Sequence, residues 1–291
     1  MTDWRARFEA FAARKEAEAR AAEIERFTSH GPVRIPEGTC YRAIGNAWSR
    51  AMFDGDFYVP EPADVNVPAT SLVFVRSRDG NTGAKNPSTL GGGEADKHLI
   101  YEGMSRAAAD AVLGGAATIR GGDILLSTWH PEIEALRRHL ALPRHPIQIV
   151  ATLKGMPLED GLIFNVPEVR VVLVTVRSCA TAMREPLAAR PWITPVMMPH
   201  PGALRDAFVE LRRLGIRTIS CIGGRTIARQ LIDDGLLRDL YLTTSARSGG
   251  EPNTPLYPTE LDGEIVLARE GTGRDTGVRF EHIRIARQSL G

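Results

Sequence analysis

The stretch Cys221-Ile222-Gly223-Gly224-Arg225-Thr226-Ile227-Ala228-Arg229-Gln230-Leu231 constrains the fold more than any other part of the chain. An apolar run over residues 216–222 leads into it, and an amphipathic run over 226–237 leads out. That order is strand, two-glycine turn, helix. Glycine lacks a Cβ, so the turn can take positive φ and admit a ligand close to the backbone. The helix that follows points free N–H groups and a partial positive charge at the turn, a setting suited to phosphate. Paired glycines also serve a plain strand-to-helix turn with no ligand, so both readings stay open at this point.

The rest of the chain repeats the alternation. Apolar, β-branched runs at 71–75, 110–113, 147–152, 169–176, 217–222 and 240–246 read as strands. Residues 94–109, 131–141, 201–214 and 226–237 read as helices; Pro131 stands in a first turn, and Leu204, Phe208, Leu211 and Leu214 make one apolar face. Such alternation predicts an α/β fold with a mostly parallel sheet covered on both faces. Runs at 265–267 and 278–285 follow without an intervening helix and are expected to pair antiparallel. Ahead of the compact domain, expected over 67–291, residues 1–66 read as an N-terminal extension. A helix is expected over 3–28, capped by Asp3, with Trp4, Phe8 and Phe11 as a thin stripe. So thin a stripe must lie on the main domain or on a second subunit. Residues 30–68, rich in Pro and Gly, are expected to wrap the domain.

Composition excludes several classes. A net charge of +1 argues for neither nucleic acid nor an anionic membrane as partner. Cys40, Cys179 and Cys221 form no C-x-x-C pair, which argues against a disulfide framework or zinc site and fits a cytoplasmic protein. No apolar run approaches the ~20 residues of a membrane-spanning helix. There is no G-x-S-x-G nucleophile elbow and no zinc deaminase signature. The histidines are scattered, and His139 and His145 read as surface residues, so no metal is expected. What remains is three glycine-bearing strand ends, Asp79-Gly80, 114–118 and 223–226, at the edge where open α/β sheets bind ligands. They predict a nucleotide-cofactor site without the G-x-G-x-x-G spacing of an ordinary Rossmann fold.

Six segments carry a resemblance. They are Ser77-Arg78-Asp79-Gly80, then Ser88-Thr89-Leu90-Gly91-Gly92-Gly93 with Asp96, then residues 109–118 (ADAVLGGAAT). Val172-Leu173-Val174-Thr175 follows, then Gly223-Gly224 with Leu231-Ile232 and Gly235-Leu236, and finally Gly249-Gly250. In this order, from about residue 72 to 250, the chain resembles the reductase domain at the C-terminus of bacterial RibD. That is the dihydrofolate reductase-like domain of riboflavin biosynthesis, and the stand-alone pyrimidine reductases of the family are the most similar members. The resemblance implies a three-layer αβα dihydrofolate reductase-like fold and an NADPH-dependent oxidoreductase, commonly a homodimer. It implies cofactor contacts at Gly114, Gly115, Thr118, Gly223, Gly224, Arg225 and Thr226, with Thr152 and Thr175 along the adenosine half. It implies substrate contacts at Ser77, Ser88, Leu90 and Asp96, with Asp79 as hydrogen-bonding or proton-supplying group. An Asx turn is the competing reading of Asp79. The family's usual Glu before the glycine pair is Ile222 here, and its Asn ahead of the first Ser is Phe74. The expected reaction is hydride transfer to an imine or carbonyl of a small pyrimidine- or pterin-like heterocycle. The alternatives are 5-amino-6-(5-phosphoribosylamino)uracil reduction or an inactive scaffold of the same fold.

Overall fold

The computed structural model describes residues 3–84, 86–120, 122–159 and 161–286. Its strands are β1 (Phe27–Ser29), β2 (Tyr41–Ile44), β3 (Phe57–Pro60), β4 (Ala69–Arg76), β5 (Ala111–Gly115) and β6 (Ile147–Ala151). They continue with β7 (Val171–Val176), β8 (Ile193–Met198), β9 (Thr218–Cys221), β10 (Leu237–Thr244), β11 (Gly263–Gly271) and β12 (Arg279–Ile285). All but β2 and β3 join one ten-stranded sheet in the order β1-β11-β12-β10-β4-β9-β5-β6-β7-β8. From β10 to β8 every pairing is parallel, whereas β12, β11 and β1 add antiparallel at the other end. The mostly parallel sheet with antiparallel C-terminal strands is therefore as expected.

Side chains alternate across the sheet and separate two cores. Leu72, Leu113, Val172 and Val174 face the helices Leu204–Arg213 and Arg225–Asp233, which contribute Phe208, Leu211 and Leu231. On the other face, Val112, Val150 and Leu173 meet Phe11 of the N-terminal helix and the 162–164 turn. Val73 and Tyr241 on that face meet Leu99, Ile100 and Met104. These last three sit on a short helix, Gly93–Ala95, that continues as a π-helix over Asp96–Met104. The layers are helix, sheet, helix.

The extension is woven in more deeply than its sequence shows. The N-terminal helix spans Trp4–Ala21 and stops short of the expected residue 28, because Phe27 is claimed by the sheet. Phe27 pairs with Gly271 and is buried against Phe53 and Phe280. The helix lies on the main domain, with Phe11 edge-on to Trp129 at 5.6 Å and Arg7 paired to Asp123. β2 and β3 form a separate hairpin, tied to the sheet by the Tyr41 hydroxyl, which donates to Asp239 at 2.6 Å. His145 is partly buried, 2.8 Å from the Ser127 hydroxyl, so the reading of it as a surface residue is corrected; His139 is exposed. No described helix is long and apolar enough to cross a membrane.

Candidate active site

The three glycine-bearing strand ends meet at the carboxyl edge of the parallel strands. β9 runs out into Ile222, Gly223 and Gly224, and the helix Arg225–Asp233 starts at once, with Gly224 as its N-cap. Gly223 has φ +91°, which glycine alone adopts freely, and a Cβ there would lie 2.8 Å from the Phe74 ring. The 223–224 peptide bond is cis. Gly224 is exposed, with no atom within 4 Å of where its Cβ would stand. No side chain caps this helix, and its first backbone acceptance is from the Ala228 N–H to the Gly224 carbonyl. The N–H groups of the first turn therefore have no intrahelical partner.

The second glycine turn abuts the first. Gly115 N–H donates to the Gly223 carbonyl at 3.3 Å, and a Cβ on Gly115 would stand 4.0 Å from the Gly224 nitrogen. β5 ends there, and a helical turn, Ala116–Ile119, follows with no side-chain cap. Residues 114–115 and 223–226 thus form one backbone cradle floored by Phe74 and Ile222. Thr118 faces a different hollow of about 360 Å³, shared with Phe11 and Lys15 of the N-terminal helix. Farther along the edge, the Thr152 hydroxyl is spent on the Gly155 carbonyl at 3.2 Å. The Thr175 hydroxyl is fully buried and has no hydrogen-bond partner among the described residues.

On the other side of β9 lie the residues of the substrate half. Ser77 closes a tight turn: its hydroxyl accepts from Asn81 N–H at 3.1 Å, and its own N–H donates to the Asn81 carbonyl. Asp79 is exposed and accepts from Gly249 N–H at 3.2 Å. The Ser77 hydroxyl and the Gly249 N–H hold its carboxyl below the usual range, so it is an acceptor, not a proton source, near neutral pH. Ser88 is exposed and bonded to Asn86 within its own turn. Leu90 is buried, and a Cβ on Gly250 would lie 2.9 Å from its methyl group. Asp96 is buried under the glycine loop 91–93, with its carboxyl bonded to the Thr243 hydroxyl. Burial pushes its pKa up to about 7, with the nearby Asp275 adding to the rise. Thr243 and Asp275 carry no sequence signal of their own, whereas Phe74 stands out as the residue in place of the family's Asn. Only the alternation of β10 hinted that Thr243 faces the helix layer.

With this geometry in hand, relatives can be compared. Residues 70–263 match the RibD C-terminal domain family. The chain belongs to that family. Its members are oxidoreductases. No curated protein matches the chain. Among solved structures, a pyrimidine reductase-like protein from Corynebacterium diphtheriae is 19% identical, with TM-score 0.59, over 77% of this chain and 94% of that one. The Thermotoga maritima diaminohydroxyphosphoribosylaminopyrimidine deaminase/5-amino-6-(5-phosphoribosylamino)uracil reductase is 16% identical, with TM-score 0.57, over 76% of this chain and 57% of that one. The Saccharomyces cerevisiae riboflavin biosynthesis reductase Rib7 is 16% identical, with TM-score 0.52, over 77% and 91%. At these identities the structures establish the fold, which is the dihydrofolate reductase-like fold of RibD, while the family match carries the membership.

Proposed function

We propose that this member of the RibD C-terminal domain family is an NADPH-dependent reductase that delivers hydride to an imine or carbonyl carbon of a small heterocycle. The observation that supports it best is the double glycine cradle, where two abutting turns and an uncapped helix start leave backbone N–H groups directed outward. A dinucleotide fits that cradle: side chains are absent where phosphates need to approach, and Arg225 and Thr226 begin the helix beside it. NADPH, when bound, supplies the hydride. The protein's own part is to hold the pyrophosphate on residues 114–115 and 223–226 and to keep the substrate ring over Phe74. In this reading Thr118 closes the phosphate loop that Gly114 begins, and the Thr152 and Thr175 positions run along the adenosine half. Ser77, Asp79, Ser88, Leu90 and Asp96 frame the substrate half, Asp79 as an acceptor. Asp96 is the group able to retain a proton near pH 7.

The apolar floor favours a heterocycle less polar than a ribosylaminouracil phosphate, since Phe74 and Ile222 offer no hydrogen bond to a pyrimidine edge. The protein is taken to work in the cytoplasm, as a homodimer. Titration of the protein with NADPH and NADH, by calorimetry or cofactor fluorescence, tests the reading. Micromolar NADPH affinity, lost in Gly224→Asp, is expected. Failure to bind either nucleotide overturns it and leaves a scaffold of the same fold.

A further inference from the structure

A second cavity, of about 260 Å³, lies at the opposite edge of the sheet. Its roof is the extension's hairpin, through Arg42, Val59 and Glu61. Its floor is the amino-terminal ends of β4 and β9, through Ser71 and Thr218, and the middle of β10, through Tyr241. The end of the π-helix, with Met104 and Ser105, forms one wall. β4 links this cavity, at Ser71, to the floor of the glycine cradle, at Phe74, three residues or roughly 10 Å along the strand at the usual rise.

The lining is that of a built site with apolar and polar parts. Met104 and Tyr241 are almost wholly buried and present a thioether and an aromatic ring. Ser71 and Ser105 are also buried in this lining, the Ser105 hydroxyl bonded to that of Ser220 and the Ser71 hydroxyl 3.5 Å from the Ile219 carbonyl. The rim carries charge. The Arg42 and Arg217 guanidinium groups are exposed and have neither ion pair nor hydrogen bond among the described residues. Asp110, also at the rim, is held in place through Oδ2, which accepts from Arg217 N–H, Thr218 N–H and the Thr218 hydroxyl at 2.8–3.1 Å. Glu61 and Asp110 bring two carboxylates to the lining beside the two guanidinium groups, and neither carboxylate is paired with Arg42 or Arg217 through its guanidinium. A guanidinium fork matches a carboxylate or phosphate in shape and charge. The volume lies below the 300–1,000 Å³ of drug-sized pockets, so the occupant is far smaller than a dinucleotide.

We propose that this cavity is a second ligand site, for a small organic anion. Its acidic group, carboxylate or phosphate, meets Arg42 and Arg217 at the rim, and its flat apolar body enters over Tyr241 and Met104. The site exists because of the N-terminal extension, since the reductase domain alone has no roof there. It also shares two elements with the candidate active site. Tyr241 is two residues from Thr243 on the same face of β10, and Met104 ends the π-helix that Asp96 begins.

Cys40 makes the test specific. It is the one exposed thiol, Cys179 and Cys221 being buried, and it stands two residues before Arg42. An environment-sensitive fluorophore on Cys40 is titrated with benzoate, phenyl phosphate, inorganic phosphate and, as neutral control, benzamide; calorimetry on unlabelled protein repeats each titration. Saturable binding of benzoate or phenyl phosphate is expected, with the stronger of the two naming the acid. It is expected to weaken at least about tenfold in Arg42→Ala or Arg217→Ala. Both arginines are exposed, so both variants keep the wild-type circular dichroism and the wild-type NADPH titration, whichever way that titration falls. No saturation up to about 10 mM, an equal response to benzamide, or unchanged affinity in both variants overturns the proposal.

Discussion

Gly224 and Gly223 are neighbours with opposite expectations. Gly224 has open space around it and an ordinary φ of −72°, so Gly224→Asp folds normally. Its carboxylate even suits the helix start, and thermal stability is expected to hold or rise by a few tenths of a kcal/mol. The same charge repels a phosphate, so NADPH affinity falls at least about tenfold. Gly223→Ala places a methyl group into the Phe74 ring at positive φ, and a loss of about 2 kcal/mol is expected in urea unfolding. Asp96 carries the pH dependence at this scale. Its folded pKa, about 7, stands above the ordinary 3.8, so the folded protein holds the proton more tightly than the unfolded chain. The stability this gives is complete below the unfolded value and is lost as pH rises through about 7. Asp96→Asn should therefore flatten the melting temperature between pH 5 and about 8, with its largest relative gain on the alkaline side. A parallel slope in wild type and variant would refute the assignment. None of this was legible at Asp96 itself, because its partner Thr243 lies far along the chain on another strand.

Elements were legible where one physical signal ruled them. β4, β6, β7, β9 and β10 are largely buried on both faces and read as runs rich in apolar and β-branched residues. β8 was missed because Pro195 interrupts it and its outward residues are exposed; it is tolerated as the edge strand of the sheet. β1 to β3 were missed because three or four residues carry no period. The cradle was legible from its glycines, and Phe74 and Ile222 stood out as departures from the family pattern, but the contact of the Phe74 ring with Gly223 was not legible, since that ring comes from another strand. The N-terminal helix was found, although its fit could not be. It places Phe11 in a core with Trp129, and Phe11→Ala is expected to cost about 3 kcal/mol in denaturant unfolding. If that variant unfolds like wild type, the helix is an appendage and not part of the core.

At the scale of the whole molecule, the extension and the sheet are joined by one buried charge. Asp239 accepts from the Tyr41 hydroxyl at 2.6 Å and lies 2.8 Å from both His282 Nε2 and Arg284 Nη1. Hairpin, β10 and β12 are thereby held at a single carboxylate. Asp239→Ala leaves Arg284 without its counter-charge and the Tyr41 hydroxyl and His282 Nε2 without their hydrogen-bond partner, and is expected to cost about 3–5 kcal/mol. Tyr41→Phe removes a single hydrogen bond and should cost about 1–2 kcal/mol, more than one of the exposed ion pairs of the N-terminal helix is worth. The order of these two losses in urea midpoints checks the account.

The pairing of β1 with β11 sets a timetable for synthesis. Phe27 leaves the ribosome 244 residues ahead of its partner Gly271. Until β12 follows, Phe27 and Phe53 have no Phe280 to cover them, so the nascent chain carries an open apolar seam while all the parallel strands are being made. A chain cut anywhere before β11 should therefore be a client of chaperones and not a smaller version of the enzyme, however complete its parallel strands.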